Sequence, residues 1–350
     1  MNQTKHKESK ISTYFKSEKF KPSKLSKYFW ILSGTIFLAG LILLCTLGFN
    51  LGLDFTGGNV MEIKGGSQIE QNRSQVEQTI EKVLAENGVT TGMARSQIVG
   101  QGEEASLSFQ YQNIGGITTE EMSAINEAIK TALETELGTV LTNEFTVVSA
   151  ETKSASASTD LLMNSFIALA IAIIVILIYV AIRFDLIGGI SAIITLFHDV
   201  ILMCALVLIC RIEINAAFIA AVITILGYSV NNTIVVFDRV RENLKKETLA
   251  GKSNKEIADI SVRQTLTRTF NTSFTTILAV LLLAIIGVSA IREFIIPILF
   301  GLIVGTYAAI FISAPLWASI ITNSRFDKRK MAKTKVTEKA KIVETSAELK

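Results

Sequence analysis

Hydrophobic and polar residues follow two different regimes along this chain. In six places apolar residues run almost unbroken for about 20 residues or more, the length a helix needs to cross the hydrocarbon of a bilayer; these are residues 28–49, 161–182, 186–209, 214–237, 270–290 and 294–321. Between the first and second runs, residues 50–160 change to short, mixed periods. Strands are predicted at 59–64, 92–99, 105–112 and 145–151, and helices at 69–86 and 119–137. The second helix has the clearest pattern, because Met122, Ile125, Ile129 and Leu133 recur at steps of three or four and Thr118 or Thr119 is available as a cap. Strand, helix, strand, strand, helix, strand is a ferredoxin-like order. The expected fold is a polytopic α-helical membrane protein, with six transmembrane helices and an α+β ferredoxin-like extracytoplasmic domain between spans one and two. Residues 152–159, rich in Ser, Thr and Ala, read as a flexible link back into the membrane.

Composition agrees with this pattern. Hydrophobic residues make up 49% of the 350, and the mean hydropathy is +0.45, too apolar for a soluble domain of this charge content. A net charge of only +3 gives no reason to expect a nucleic-acid partner, and the distribution of charge says more than its sum. Lysines crowd the leader, 1–27. Arg239, Arg241, Lys245, Lys246, Lys252, Lys255 and Arg263 follow the fourth run, and Arg325, Lys328, Arg329 and Lys330 lie in the tail, 322–350. The positive-inside rule then puts both termini in the cytoplasm and 50–160 outside. The first run is longer than a signal-peptide core and shows no small-residue cleavage site, which predicts a retained signal anchor. Cys45, Cys204 and Cys210 all fall in apolar runs without metal or redox spacing and read as core filling.

Polar residues inside the runs carry the candidate chemistry. Ionisable side chains in a span cost about 2.5–3.5 kcal/mol each on insertion scales, so they face a bundle interior or a wet path. His198 and Asp199 lie in the middle of the third run, with Thr195 one turn behind. Both can change protonation, and an interhelical bond that only fixes packing is the alternative. In the fourth run Thr224, Tyr228, Asn231, Val235 and Asp238 step by three and four, a largely polar stripe, with Asn232 beside it. Asn231 and Asn232 by themselves read as glue between helices. Asp238 can pair with Arg241 at the boundary. Arg268 precedes the fifth run, where it either snorkels or meets a carboxylate in the bundle. Gly301 and Gly305 read as close helix packing, and Asp54, Gly57 and Gly58 form a turn just past the first run.

Taken together, "GLDFTGG" after the first run, "FHD" in the third, "GYSVNNTIVVFDRVREN" in the fourth and "QTLTRTFNTSFTT" before the fifth resemble the SecF family of Sec-translocon accessory subunits, within the RND superfamily. The resemblance covers about residues 51–321. It implies an RND-like half bundle that pairs with SecD, associates with the SecYEG translocon and with YidC/YajC-type accessory proteins, and uses a proton or sodium gradient to drive preproteins outward in late steps of export. It implies no cofactor and no enzymatic reaction; the chain has no Walker motif or covalent nucleophile constellation. Members of the family usually carry aspartate after the first asparagine of the fourth-span motif. Here that position is Asn232, and an amide cannot load and release a proton. Ion coupling is therefore expected to rest on the partner's carboxylate together with Asp199 and His198. Arg268 matches the family arginine associated with coupling, and Asn232 keeps a hydrogen-bonding role. The competing readings are half of an RND-type exporter for small molecules or lipids, and a scaffold without transport.

Overall fold

A computed structural model describes residues 17, 20–64, 67–89, 91–99, 105–113, 119–137, 146–153, 155–249, 251–287 and 289–323. The membrane-type helices are α1 (Pro22–Leu47), α6 (Ala155–Arg183), α7 (Leu186–Ile209), α8 (Ala216–Lys245), α9 (Asn254–Ile286) and α10 (Ser289–Ala308), the last running on through a π turn into α11 (Ala314–Asn323). They provide six stretches long and apolar enough to cross a membrane. Between α1 and α6 lie a one-turn helix α2 (Leu53–Thr56), β1 (Gly58–Lys64), α3 (Ser67–Gln71), α4 (Arg73–Glu86), β2 (Thr91–Val99), β3 (Ser106–Asn113), α5 (Thr119–Leu137) and β4 (Thr146–Lys153).

The four strands form one antiparallel sheet in the order β2-β3-β1-β4, the ferredoxin-like arrangement. Its core takes one face of each main helix, Val76, Ile80, Val83 and Leu84 from α4 and Ile125, Ile129 and Leu133 from α5, against Met61, Ile63, Leu107 and Phe109. Helix α5 has the predicted bounds. The predicted 69–86 helix is instead two pieces, α3 and α4, broken at Asn72. On this domain Glu77 faces Arg73 and Ser96. Burial alone would raise its carboxyl, but the Ser96 hydroxyl and the Arg73 guanidinium hold it below the ordinary glutamate value.

Three expectations about the membrane helices need correction. The flexible link at 152–159 does not exist as such: β4 runs to Lys153 and α6 begins at Ala155. The first helix starts at Pro22, inside the expected leader. The fifth starts at Asn254, some four turns before residue 270, because a Ser253–Glu256 capping box opens it and its first turns are polar yet helical. Cys45 and Cys210 are also exposed on the chain surface rather than filling the core.

Helices α7, α8 and α10 make the centre of the bundle, with Val222, Ile225 and Leu226 of α8 packed among Leu196, Leu302 and Trp317. Ile225 sits so close to Gly301 that a Cβ there would come within 2.5 Å of it, which explains the first glycine of that pair. The π turn, Ala309–Ser313, precedes Pro315, whose ring crowds the Phe311 carbonyl and removes a donor, so the turn widens. It directs Phe311 onto Phe29 of α1 in a stack with centroids 4.0 Å apart.

Helix α1 is clasped at both ends by distant segments. No side chain of its own caps its start; Asp259 of α9 accepts from the Ser23 amide and hydroxyl, both at 2.8 Å, and Arg263 donates to the Phe20 carbonyl at 2.9 Å. Past its other end, the Ile214 amide donates to Asn50 O at 2.8 Å and the Gly52 amide donates to Ile214 O at 2.9 Å. Asp54 then accepts from the Ala216 amide at the start of α8, at 3.1 Å. Gly57 (φ 70°) and Gly58 (φ 140°) turn the chain from α2 into β1 through backbone angles that disfavour any side chain.

Candidate functional site

Two polar clusters lie among the membrane helices. The first is built around α7. Its start is capped by Asp185, and the helix carries His198 and Asp199 into the centre of the bundle, where Asp199 is fully buried. Imidazole Nδ1 lies 2.9 Å from Asp199 Oδ1, and Ser229 of α8 donates to the other carboxylate oxygen. On the far side of the ring, Nε2 lies 2.8 Å from Ser33 Oγ of α1, and Ser33 Oγ lies 3.0 Å from Tyr307 Oη of α10. Edges of Trp30 and Tyr307 close around the imidazole. Gly305 leaves room beside the carboxylate: a Cβ there would stand 3.5 Å from Asp199 Oδ2. Thr195 has no part in this cluster, since it donates to the Ser191 carbonyl of its own helix.

The second cluster spans α8 and α9. Tyr228 donates to Ser273 at 3.0 Å, and Asn243 donates to Ser261 and Gln264 at 2.9 and 2.8 Å, which fixes the antiparallel register of the two helices. One turn from the Tyr228–Ser273 bond, each helix carries a buried polar group without a partner among the described residues, Asn232 Nδ2 and Thr269 Oγ1. Arg268 is exposed and makes no hydrogen bond or ion pair among them, and Asn271, Thr272 and Thr275 share its exposure.

The polar stripe of α8 does not face the interior of this chain. Thr224 and Asn231 are exposed and Tyr228 is half-buried, whereas the buried polar face holds Ser229, Asn232 and Thr233. Periodicity identified a face but not its direction. Asp238 stands apart at the helix end, where Arg183 reaches both its oxygens at 2.7 and 2.5 Å and Arg241 adds the expected contact at 3.3 Å. Asp54, Gly57 and Gly58 belong to the clasp beneath the sheet domain rather than to either cluster.

Ser33, Ser229 and Tyr307 escaped the sequence reading, and Gly305, read as a packing glycine, was not linked to Asp199. A lone hydroxyl in an apolar helix is easily satisfied by its own preceding turn, so it gives no sign of a partner on another helix. The usable signal was the converse: a buried His–Asp pair needs donors, and few polar residues lie at mid-helix depth to provide them.

Six helices long and apolar enough to cross a membrane, with a ferredoxin-like domain inserted after the first, define a polytopic membrane protein with an α+β insertion. Residues 132–323 match the family model described as protein export membrane protein SecD/SecF, C-terminal, and residues 42–69 match the SecD/SecF GG motif. The chain is 36% identical to protein translocase subunit SecF of Sebaldella termitidis, over 84% of this chain and 89% of that one. It is 35% identical to protein translocase subunit SecDF of Bacillus subtilis, over 83% of this chain but 37% of that one. The crystal structure of SecDF, a translocon-associated membrane protein from Thermus thermophilus, superposes with a TM-score of 0.70 at 28% identity, covering 87% of this chain and 39% of that one. The chain thus spans well under half of the SecDF proteins it matches. It belongs to the SecD/SecF family of protein export membrane proteins.

Proposed function

We propose that this chain is the SecF-type half of a Sec-pathway accessory unit in the bacterial cytoplasmic membrane, with both termini cytoplasmic and the sheet domain outside. In this reading a SecD-type chain completes the bundle, the pair works beside SecYEG and YidC/YajC-type proteins, and a proton or sodium gradient drives late steps of preprotein export. The chain catalyses no reaction and needs no cofactor; one charge crossing 100 mV releases about 2.3 kcal/mol, enough for a few ions per cycle to bias a conformational change. The observation that carries the proposal is the open polar face of α8 and α9. Arg268, unpaired among the described residues and beside exposed Asn271 and Thr272, is costly against lipid and suits a second bundle bearing a carboxylate at the same depth. Asn232 cannot titrate, so the ionisable part of this half falls to Asp199 and His198.

Affinity purification of the full chain in mild detergent tests the partners: a SecD-type protein and SecYEG should copurify, and recovery of a periplasmic adaptor instead would favour the small-molecule exporter. Asp199→Asn should slow secretion of a reporter preprotein with assembly intact. Unchanged secretion would exclude Asp199 from coupling.

A further inference from the structure

The His198 cluster is a single file of hydrogen bonds crossing four helices, from Ser229 on α8 through Asp199 and His198 on α7 and Ser33 on α1 to Tyr307 on α10. With Asp199 ionised, its donor directions are constrained. An ionised Asp199 only accepts, so the imidazole Nδ1 must carry a proton towards it. A neutral ring then has a bare Nε2, which accepts from the Ser33 hydroxyl, and Ser33 in turn accepts from Tyr307. No lysine, arginine or glutamate is bonded to this cluster among the described residues. The groups facing the ring are Asp199 from its own helix, Ser33 and Trp30 from α1, and Tyr307 from α10, while Ser229 of α8 faces the carboxylate.

We propose that Nε2 of His198 is a proton-loading site served through Ser33 and Tyr307. A proton arriving at Tyr307 Oη releases that group's own proton to Ser33 Oγ, and Ser33 passes its proton to Nε2. The product is an imidazolium that still donates from Nδ1 to Asp199, and nothing else is consumed. Loading reverses the chain: Nε2–H now donates to Ser33, Ser33 donates to Tyr307, and Tyr307 must turn its own hydroxyl elsewhere. The file ends in a buried hydroxyl at Ser229, and its partly exposed members, His198 and Tyr307, lie at the other end. It therefore loads and unloads by one end, as a switch between α1 and α10, and does not conduct across the bundle. Use of this switch in export rests on the ion-coupling reading above, whereas the loading does not.

The chain has two histidines, so His6→Gln leaves His198 as the sole label for ¹⁵N-histidine NMR of the full chain in lipid nanodiscs. The neutral ring should show its proton on Nδ1 and a hydrogen-bonded, bare Nε2; acidification should add a proton at Nε2 alone. Tyr307→Phe and Ser33→Ala should each slow proton exchange at Nε2 by about tenfold or more, and Ser33→Thr should restore it. A neutral ring protonated on Nε2, or exchange unchanged in both variants, would overturn the proposal. If exchange slows in Ser33→Ala while gradient-driven secretion is unchanged, the loading site stands and its role in export falls.

Discussion

The two polar clusters in the bundle differ in how completely this chain satisfies them. Around His198, helices α1, α7, α8 and α10 each contribute to one file of bonds, and the carboxylate at its heart is fully buried. Between α8 and α9, Asn232 and Thr269 have atoms without a partner among the described residues, and Arg268 stands exposed. Buried polar groups are normally paired, and charge at membrane depth is normally shielded. The closed cluster is completed by this chain's own helices, while the open one is the face that the proposed second chain would cover.

The strongest way to break that comparison is to cut the closed cluster. Asp199→Ala leaves Ser229 and His198 without their acceptor in a dry site and should destabilise the purified chain by about 3 kcal/mol, read from thermal unfolding in detergent; an unchanged midpoint would mean that the cluster is not structural. Gly305→Leu crowds the same carboxylate and should cost about 1–3 kcal/mol, whereas Gly305→Ala meets only ordinary contacts and should be tolerated. The open cluster should respond differently. Arg268→Gln should change the stability of the isolated chain by less than about 0.5 kcal/mol yet reduce capture of the partner half; loss of stability in the isolated chain would place Arg268 in its own fold. Thr269→Val, which removes an orphaned hydroxyl, should be neutral or slightly stabilising in the isolated chain.

The smallest effect lies outside both clusters, on the sheet domain. The Glu77 carboxyl titrates lower folded than unfolded, so its contribution is present above the unfolded value of about 4.3 and is lost as pH falls through the folded value. Hydrogen exchange of α4 and β2 in the full chain should rise modestly below about pH 4, and Glu77→Gln should remove that pH dependence.

How much of this was legible depended on what each residue advertises. Helix α5 was read to its ends because Ile125, Ile129 and Leu133 repeat on a polar background. Helix α9 was read four turns short, because a search for apolar length cannot see helical turns such as Asn254–Thr269 that are polar and bonded to α8 and α1. The start of α6 was hidden for a similar reason, since Ser and Ala suit a linker and a helix equally. Ionisable His198 and Asp199 declared themselves in an apolar run. Ser33 and Tyr307 did not, because their role exists only where three helices meet. The α8 stripe was visible as a face, but only packing could show that Asn232 is buried and Asn231 is not.

The clasp on the first helix has a consequence for biogenesis. Ser23 and its acceptor Asp259 are 236 positions apart, so the residue that caps α1 is made long after α1 itself. At bacterial rates of about 5–20 residues per second, the helix waits roughly 10 to 50 s on the ribosome with its first amides uncapped. Maturation of the first helix is thereby timed by the fifth, and the bundle locks only when most of the chain has been synthesised.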